Sequence, residues 1–223
     1  MNRSGPGVPP SSWRRTPLDG RWPAFLKRSI DIMVLLVGHA LVMVWLWPLI
    51  SLAIKLDSRG PVFYKQERYG RNNKRFMCFK FRTMIKDSRD CDDQGRYRPT
   101  EEKDERLTRV GRVLRKASLD ELPQFLNILK GEMSIVGPRP HPVPMHNAYK
   151  DTIPNYLLRH LVKPGLTGWA QVNGLRGPIV NPENIRRRVE HDLWYIENWS
   201  LGLDLKIVLL TLKLLIQGDG KAF

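Results

Sequence analysis

The 23 residues from Ile32 to Ile54, "IMVLLVGHALVMVWLWPLISLAI", carry no charged side chain apart from any proton on His39. A straight helix of that length would reach about 35 Å, enough to cross a hydrocarbon core of about 30 Å. The run is too long and too far from residue 1 for a secretory signal, and no small-residue cleavage site follows it. It therefore reads as a membrane segment. Two features argue against a simple crossing. Lys27 and Arg28 precede the run while Lys55, Arg59 and Lys65 follow it, so positive charge flanks both ends. Pro48 also interrupts it, removing a backbone donor and crowding the preceding turn. A helix that enters, bends near Pro48 and returns to the same face fits both facts, and on these facts alone spanning stays an open alternative.

The rest of the chain must live beside that segment. Its 223 residues suffice for one domain with a real core. The 37 Lys+Arg against 22 Asp+Glu imply an anionic partner: a phospholipid surface, nucleic acid or a phosphorylated small molecule. Only Cys78 and Cys91 occur, with no paired Cys/His spacing, which argues against a disulfide framework or structural zinc. No Walker A loop, GxGxxG, GxSxG or HExxH can be read. Residues 1–22, rich in Pro, Gly, Ser and Arg, read as a disordered basic tail; residues 23–58 hold the membrane helix and 59–223 the remaining domain.

"PVFYKQERY" and "RFMCFKFRTM" flank "GRNNK", a hairpin pattern of period two. Lys80 and Arg82 fall on one strand face, which suits either a solvated surface or a phosphate contact. Residues 85–106 read as a charged mobile loop. Helices are expected over "LTRVGRVLRKA", "LDELPQFLNILKGEM" (ending near Gly131) and "NPENIRRRVEHDLWYIENW", the last opened by Asn181 and Pro182. "KPGLTGWAQVNG" reads as a glycine-rich loop able to approach a ligand. "LGLDLKIVLLTLKLLIQG", preceded by Trp194, Tyr195 and Trp199, reads as a helix lying in the membrane interface.

Against this basic background stand two adjacent acids, Asp120 and Glu121. Ser118 and Glu121 have capping-box spacing, and carboxylates in a first helical turn usually just cap it. The flanking cations raise a second reading, with Arg115 and Lys116 upstream and Arg139 downstream. A carboxylate kept ionised among them can attack phosphorus, and an acidic pair can hold Mg²⁺.

"FKFRTM" (79–84), "SLDELPQFLNILKGEMSIVGPRP" (118–140), "KPGLTGWAQVNG" (163–174) and "NWSLGLDLKIVLLT" (198–211) together resemble the bacterial sugar transferase family, the monotopic phosphoglycosyl transferases, over about residues 24–223. The resemblance implies an α+β, mostly helical monotopic membrane protein, with a re-entrant N-terminal helix, a small β-hairpin and interfacial amphipathic helices. It implies Mg²⁺-dependent transfer of a sugar 1-phosphate from a UDP-sugar to undecaprenyl (polyprenyl) phosphate at the cytoplasmic face of the bacterial inner membrane. Asp120 would be the nucleophile and Glu121 its partner in catalysis and metal binding. Arg115 and Arg139 would contact phosphate, with Lys80 and Arg82 as further contacts and Asp192 near the nucleotide. In relatives the membrane break is often Ser-Pro; here Trp47 precedes Pro48. The competing readings are a non-catalytic basic scaffold on the membrane surface and, ranked last, nucleic-acid binding, for which no fold motif appears.

Overall fold

The computed structural model describes residues 16–38, 43–88, 100, 104–177 and 182–217. Residues 1–15 of the expected tail, His39, Cys91, Asn181 and most of the loop 85–106 lie outside the described residues. The end of the expected tail is ordered. A 3₁₀ turn spans Pro17–Asp19 and helix α1 starts at Arg21, because Leu18 reaches the core and the Asp19 carboxylate accepts the Thr16 N–H at 2.6 Å.

Helices α1 (Arg21–Gly38) and α2 (Val44–Asp57) carry the apolar run. The buried face of α1 is Lys27, Asp31 and Leu35, while Trp22, Phe25, Met33, Leu36 and Val37 are exposed. That is the reverse of a helix on a water-soluble protein, which buries its apolar stripe. Helix α2 runs through Pro48. Pro48 lies inside α2, where its missing donor costs one backbone hydrogen bond. Trp47, just before it, has its ring 5.9 Å from both Phe63 and Phe81 and its indole N–H donating to Met43 Sδ at 3.1 Å.

Strands β1 (Phe63–Tyr69) and β2 (Arg75–Phe81) form the expected antiparallel hairpin, with Tyr64 opposite Lys80 and Gln66 opposite Cys78. Asn72 and Asn73 take the positive φ that its turn needs. Helix α3 (Arg109–Lys116) is followed by a 3₁₀ segment, Leu119–Gln124, that runs directly into α4 (Phe125–Lys130), which ends on left-handed Gly131. Beyond it come β3 (Ser134–Val136), α5 (Val143–Tyr149), a 3₁₀ segment Tyr156–Leu161, β4 (Gly165–Thr167), α6 (Trp169–Val172), α7 (Pro182–Glu197) and α8 (Leu201–Gln217). The expected glycine loop is thus a strand and a short helix. β4 pairs parallel with β3, and the backbones approach so closely that a Cβ on Gly165 would fall 2.1 Å from the Gly137 nitrogen. The fold is α+β and mostly helical.

Both flanks of the apolar run are tied to the same domain. At its start, Lys27 Nζ pairs with Asp204 Oδ2 at 2.6 Å, Arg28 donates to the carbonyls of Ile128 and Leu129, and Asp31 accepts from Ser134 Oγ and the Ile135 N–H. At its end, Arg82 donates to the carbonyls of Ser58, Arg59 and Pro61, and Asp57 accepts the Val110 N–H. Several of the flanking cations therefore serve the domain. Among the described residues no helix is long and apolar enough to cross a membrane.

Candidate active site

The left-handed conformation of Ser118 (φ 59°, ψ 17°) sets the entry to the acidic pair. The expected capping box does not form, because in that conformation the Ser118 hydroxyl caps nothing and instead accepts from Arg176 Nη2 at 2.7 Å. A non-glycine residue held at positive φ stores strain, a feature that clusters at functional sites. Asp120 and Glu121 follow in the 3₁₀ segment, both buried. This segment packs against β2, whose even-numbered face carries Phe76 and Cys78 inward. Asn127 locks that packing, its Oδ1 accepting the Phe79 N–H at 3.0 Å and its Nδ2 donating to the Met77 carbonyl at 2.7 Å. The face bearing Lys80 is therefore the inner one.

The two carboxylates are treated differently. Glu121 is clamped: Arg139 Nη2 lies 2.5 Å from Oε1 and Nη1 3.0 Å from Oε2, and Lys80 Nζ lies 2.7 Å from Oε1. Burial alone would raise its pKa, but the Arg139 and Lys80 charges outweigh that and hold the carboxyl well below the usual range. The pair likewise keeps Arg139 firmly protonated against its own burial. Asp120 accepts no hydrogen bond from a described residue; its nearest cation is Lys80, 3.6 Å from Oδ2. Glu121 is thus the anchor of the cationic cluster, and Asp120 keeps its lone pairs.

A carboxyl whose pKa is depressed on folding contributes stability that is complete above its unfolded pKa and lost as pH falls through the folded one. Glu121→Gln should therefore lower stability by about 2 kcal/mol at pH 7, since its amide keeps one acceptor for two cations. The gap to the wild type should close as pH falls below about 4. Thermal unfolding of both proteins between pH 3 and 7 measures this; a gap constant with pH would contradict the clamp.

The other expected site residues divide. Arg139 and Lys80 join the acids. Arg115, in the last turn of α3, donates from Nε to Thr83 Oγ1 at 2.9 Å, and no ion pair joins it to either carboxylate. The Arg82 guanidinium is buried and donates to the carbonyls of Ser58, Arg59 and Pro61, just past the end of α2. Asp192 is buried against Arg159, 2.5 Å from Nη2, and burial raises its pKa despite that cation. The same Arg159 Nη2 donates to the Arg139 carbonyl at 2.7 Å, and Nη1 to His141 Nδ1, which also accepts the Tyr156 hydroxyl. Asp192 is thus joined to Arg139 through Arg159. Burial, aided by Arg159, keeps His141 neutral and lowers His146 to about 4.

Arg159 and Arg176 were not singled out from sequence. A signal existed for Arg176, which follows Gly174 in "NGLRG", where backbone freedom brings a cation close to a ligand. Arg159 had none, since nothing in "YLLRHL" marks an arginine for complete burial. Among the described residues no cluster of three His, Cys, Asp or Glu side chains would cage a metal ion. The pair fits Mg²⁺ only as a partial ligand set: Glu121 Oε1 already meets two cations, leaving Asp120 and Oε2 as hard oxygen donors, with water and phosphate completing the shell.

Comparison with known proteins adds the final observations. The profile described as "Bacterial sugar transferase" matches residues 22–218. The chain is 48% identical to the "Undecaprenyl-phosphate glucose phosphotransferase" of Komagataeibacter xylinus, over 90% of this chain and 37% of that protein. It is 46% identical to the "UDP-glucose:undecaprenyl-phosphate glucose-1-phosphate transferase" of Escherichia coli (strain K12), over 92% and 43% respectively. The "Exopolysaccharide production protein PSS" of Rhizobium leguminosarum bv. phaseoli is 44% identical over 82% of this chain and 91% of its own length. The chain spans about two fifths of the length of the first two.

Proposed function

The chain belongs to the bacterial sugar transferase family, and on that premise we propose that it transfers a hexose 1-phosphate from a UDP-sugar to undecaprenyl phosphate, with release of UMP. This is the membrane step that opens the synthesis of an exopolysaccharide, capsule or O-antigen. The observation that carries the chemistry is the unequal treatment of two adjacent carboxylates, one clamped by Arg139 and Lys80 and the other left with free lone pairs. Asp120 Oδ attacks the β-phosphorus of the donor. The bond from that phosphorus to the bridging oxygen breaks, and UMP departs with the electron pair. A phosphate oxygen of the acceptor then attacks the phosphosugar–aspartyl phosphorus. The bond to Asp120 breaks, and polyprenyl-diphosphate sugar leaves with the carboxylate regenerated.

Lys80 and Arg139 offset the repulsion between an anionic nucleophile and an anionic diphosphate. Asp120 and Glu121 Oε2 would hold Mg²⁺, which when bound neutralises phosphate charge. Because Glu121 is already balanced by two cations, most of the ion's ligands would come from the diphosphate and water.

The membrane arrangement belongs to the same proposal. The inverted burial of α1, the attachment of both flanks of the apolar run to one domain, and exposed Leu49, Leu52, Leu205 and Leu209 on α2 and α8 support a monotopic protein with residues 23–58 re-entrant. It would enter one leaflet of the inner membrane from the cytoplasmic side, where its positive charge meets anionic lipid. The purified protein in lipid nanodiscs, given UDP-glucose, Mg²⁺ and undecaprenyl phosphate, should release UMP in step with lipid-linked glucose. Turnover with no UDP-sugar would leave the scaffold reading standing. In sealed vesicles, a cysteine at Ser4 should be labelled only from the face carrying the domain; labelling from the opposite face excludes re-entry.

A further inference from the structure

Pro138 and Pro140 carry no backbone N–H, so the segment that presents Arg139 is held through its carbonyls. All three are occupied. The Pro138 carbonyl accepts the Gly165 N–H at 2.9 Å, and the Arg139 carbonyl accepts Arg159 Nη2 at 2.7 Å. The Pro140 carbonyl accepts Arg68 Nη1 at 2.5 Å, and two residues on, Pro142 bridges antiparallel to Arg68 itself. Arg68 lies near the end of β1 and shares a strand face with Gln66. Across the hairpin, Phe76, Cys78 and Lys80 stand opposite on that same inner face. Gln66 Oε1 accepts from Nε and Nη2 of Arg68, at 3.1 and 2.7 Å, which fixes the guanidinium plane and aims Nη1 at Pro140. The Cys78 thiol sits amid the group: burial raises its pKa, while Arg68, Lys80 and Arg139 all pull it down.

Arg68 is only 6% exposed, and among the described residues no carboxylate pairs with it. A buried guanidinium without an acid is expensive, and a neutral amide would satisfy a carbonyl at less cost. Stability alone therefore does not account for an arginine at this position. What the arginine achieves is geometric. The hairpin holds both cations of the Glu121 clamp, Lys80 directly from β2 and Arg139 from β1 by way of Arg68 and the Pro140 carbonyl. We infer that Arg68 is a positioning residue, a brace that keeps Arg139 at a fixed distance from Lys80 so that both cations face the donor diphosphate beside Asp120. The inference rests on the proposed reaction and adds to it a residue that touches no substrate. Slack at Pro140 moves the Arg139 guanidinium, and a displacement of about 1 Å is enough to slow a phosphoryl transfer that relies on placed charge.

Arg68→Met keeps the bulk and removes the donors, and should lower kcat for UMP release about 10- to 100-fold. In an Arg139→Met background, followed under single-turnover conditions, the same change should cost less than about twofold more, because the group being positioned is already gone. Effects that multiply in the double variant would overturn the assignment. Arg68→Lys separates position from charge, since it retains the cation and loses the planar fork. Its kcat should stay down by about tenfold or more; full recovery would make the role electrostatic and overturn positioning. The Lys variant also carries the cycle if the Met variant does not fold. A second readout needs no turnover. The stability difference between the wild type and Glu121→Gln, expected to grow from pH 3 to pH 7, should grow by only about half as much in an Arg68→Met or Arg68→Lys background, where Arg139 is loosened. An unchanged pH dependence would also overturn the inference. If the wild-type protein releases no UMP, the proposed reaction fails, and the pH series still decides Arg68.

Discussion

Asp120→Asn is expected to abolish UMP release, by roughly 10⁴-fold or more, because it removes the attacking oxygen rather than a contact that assists it. The protein should still fold and bind membranes. Asp120 has one cation at 3.6 Å and accepts no hydrogen bond from a described residue, so little stability depends on its charge. Wild-type protein incubated with UDP-glucose alone should gain the mass of a phosphohexose on the peptide containing Asp120, and the variant should gain none. The neighbouring carboxylate supplies the control. Glu121 carries three charge-assisted bonds, and a carboxylate so engaged is a poor nucleophile because its lone pairs are already stabilised. UMP release by the Asn variant at the wild-type rate, or an adduct on Glu121, would reverse the two roles.

How much of this was legible in the sequence depends on what each residue type can do alone. The hairpin was readable because alternation and "GRNNK" are local signals. The acidic pair was readable because carboxylates in a basic chain stand out and the surrounding motifs resemble a family. Lys80 and Arg82, two residues apart on one strand face, looked equivalent and are not. Lys80 faces the 3₁₀ segment, while Arg82 lies just past the strand's last residue and reaches the end of α2. Strand parity assigns a face; it does not say which partner covers it. Pro48 shows the same limit: it lies inside α2, and residue type alone does not say how the backbone around a proline is accommodated. Gly165 and Gly168 of "KPGLTGWAQVNG" mark close backbone approach, and the backbone they approach is that of Gly137.

Complementary polar groups hold the apolar helices where such a chemistry needs them. Lys27, Asp31 and Asp204 would be expensive in lipid as single charges. Paired with one another, with Tyr195 and with the backbone of β3, they fix α1 and α8 against the small parallel sheet that leads into Arg139. The apolar helices and the cationic clamp thus share one support. On the proposed reading, that support sets the height of Asp120 relative to the lipid surface.

Arg159 is the least visible part of this support, and its removal should be the most costly to the fold. Its side chain is 1% exposed and joins Asp192, the Arg139 carbonyl and His141. Arg159→Met removes the direct ion-pair partner of buried Asp192 and leaves it chiefly the Arg188 charge, a loss of about 3 kcal/mol, or about 10 °C in melting temperature for a chain of this size. Adding Asp192→Leu removes the orphaned charge as well, so the double variant should recover at least half of that loss. Activity should not follow stability. With no guanidinium on the Arg139 carbonyl, the clamp on Glu121 loses its fixed position, and kcat should stay down by roughly 10- to 100-fold in both variants. A merely structural role predicts the opposite for the double variant, with kcat recovering alongside the melting temperature. Melting curves and kcat measured on the same three proteins separate the two outcomes, and joint recovery would remove Arg159 and Asp192 from any account of how Arg139 is positioned.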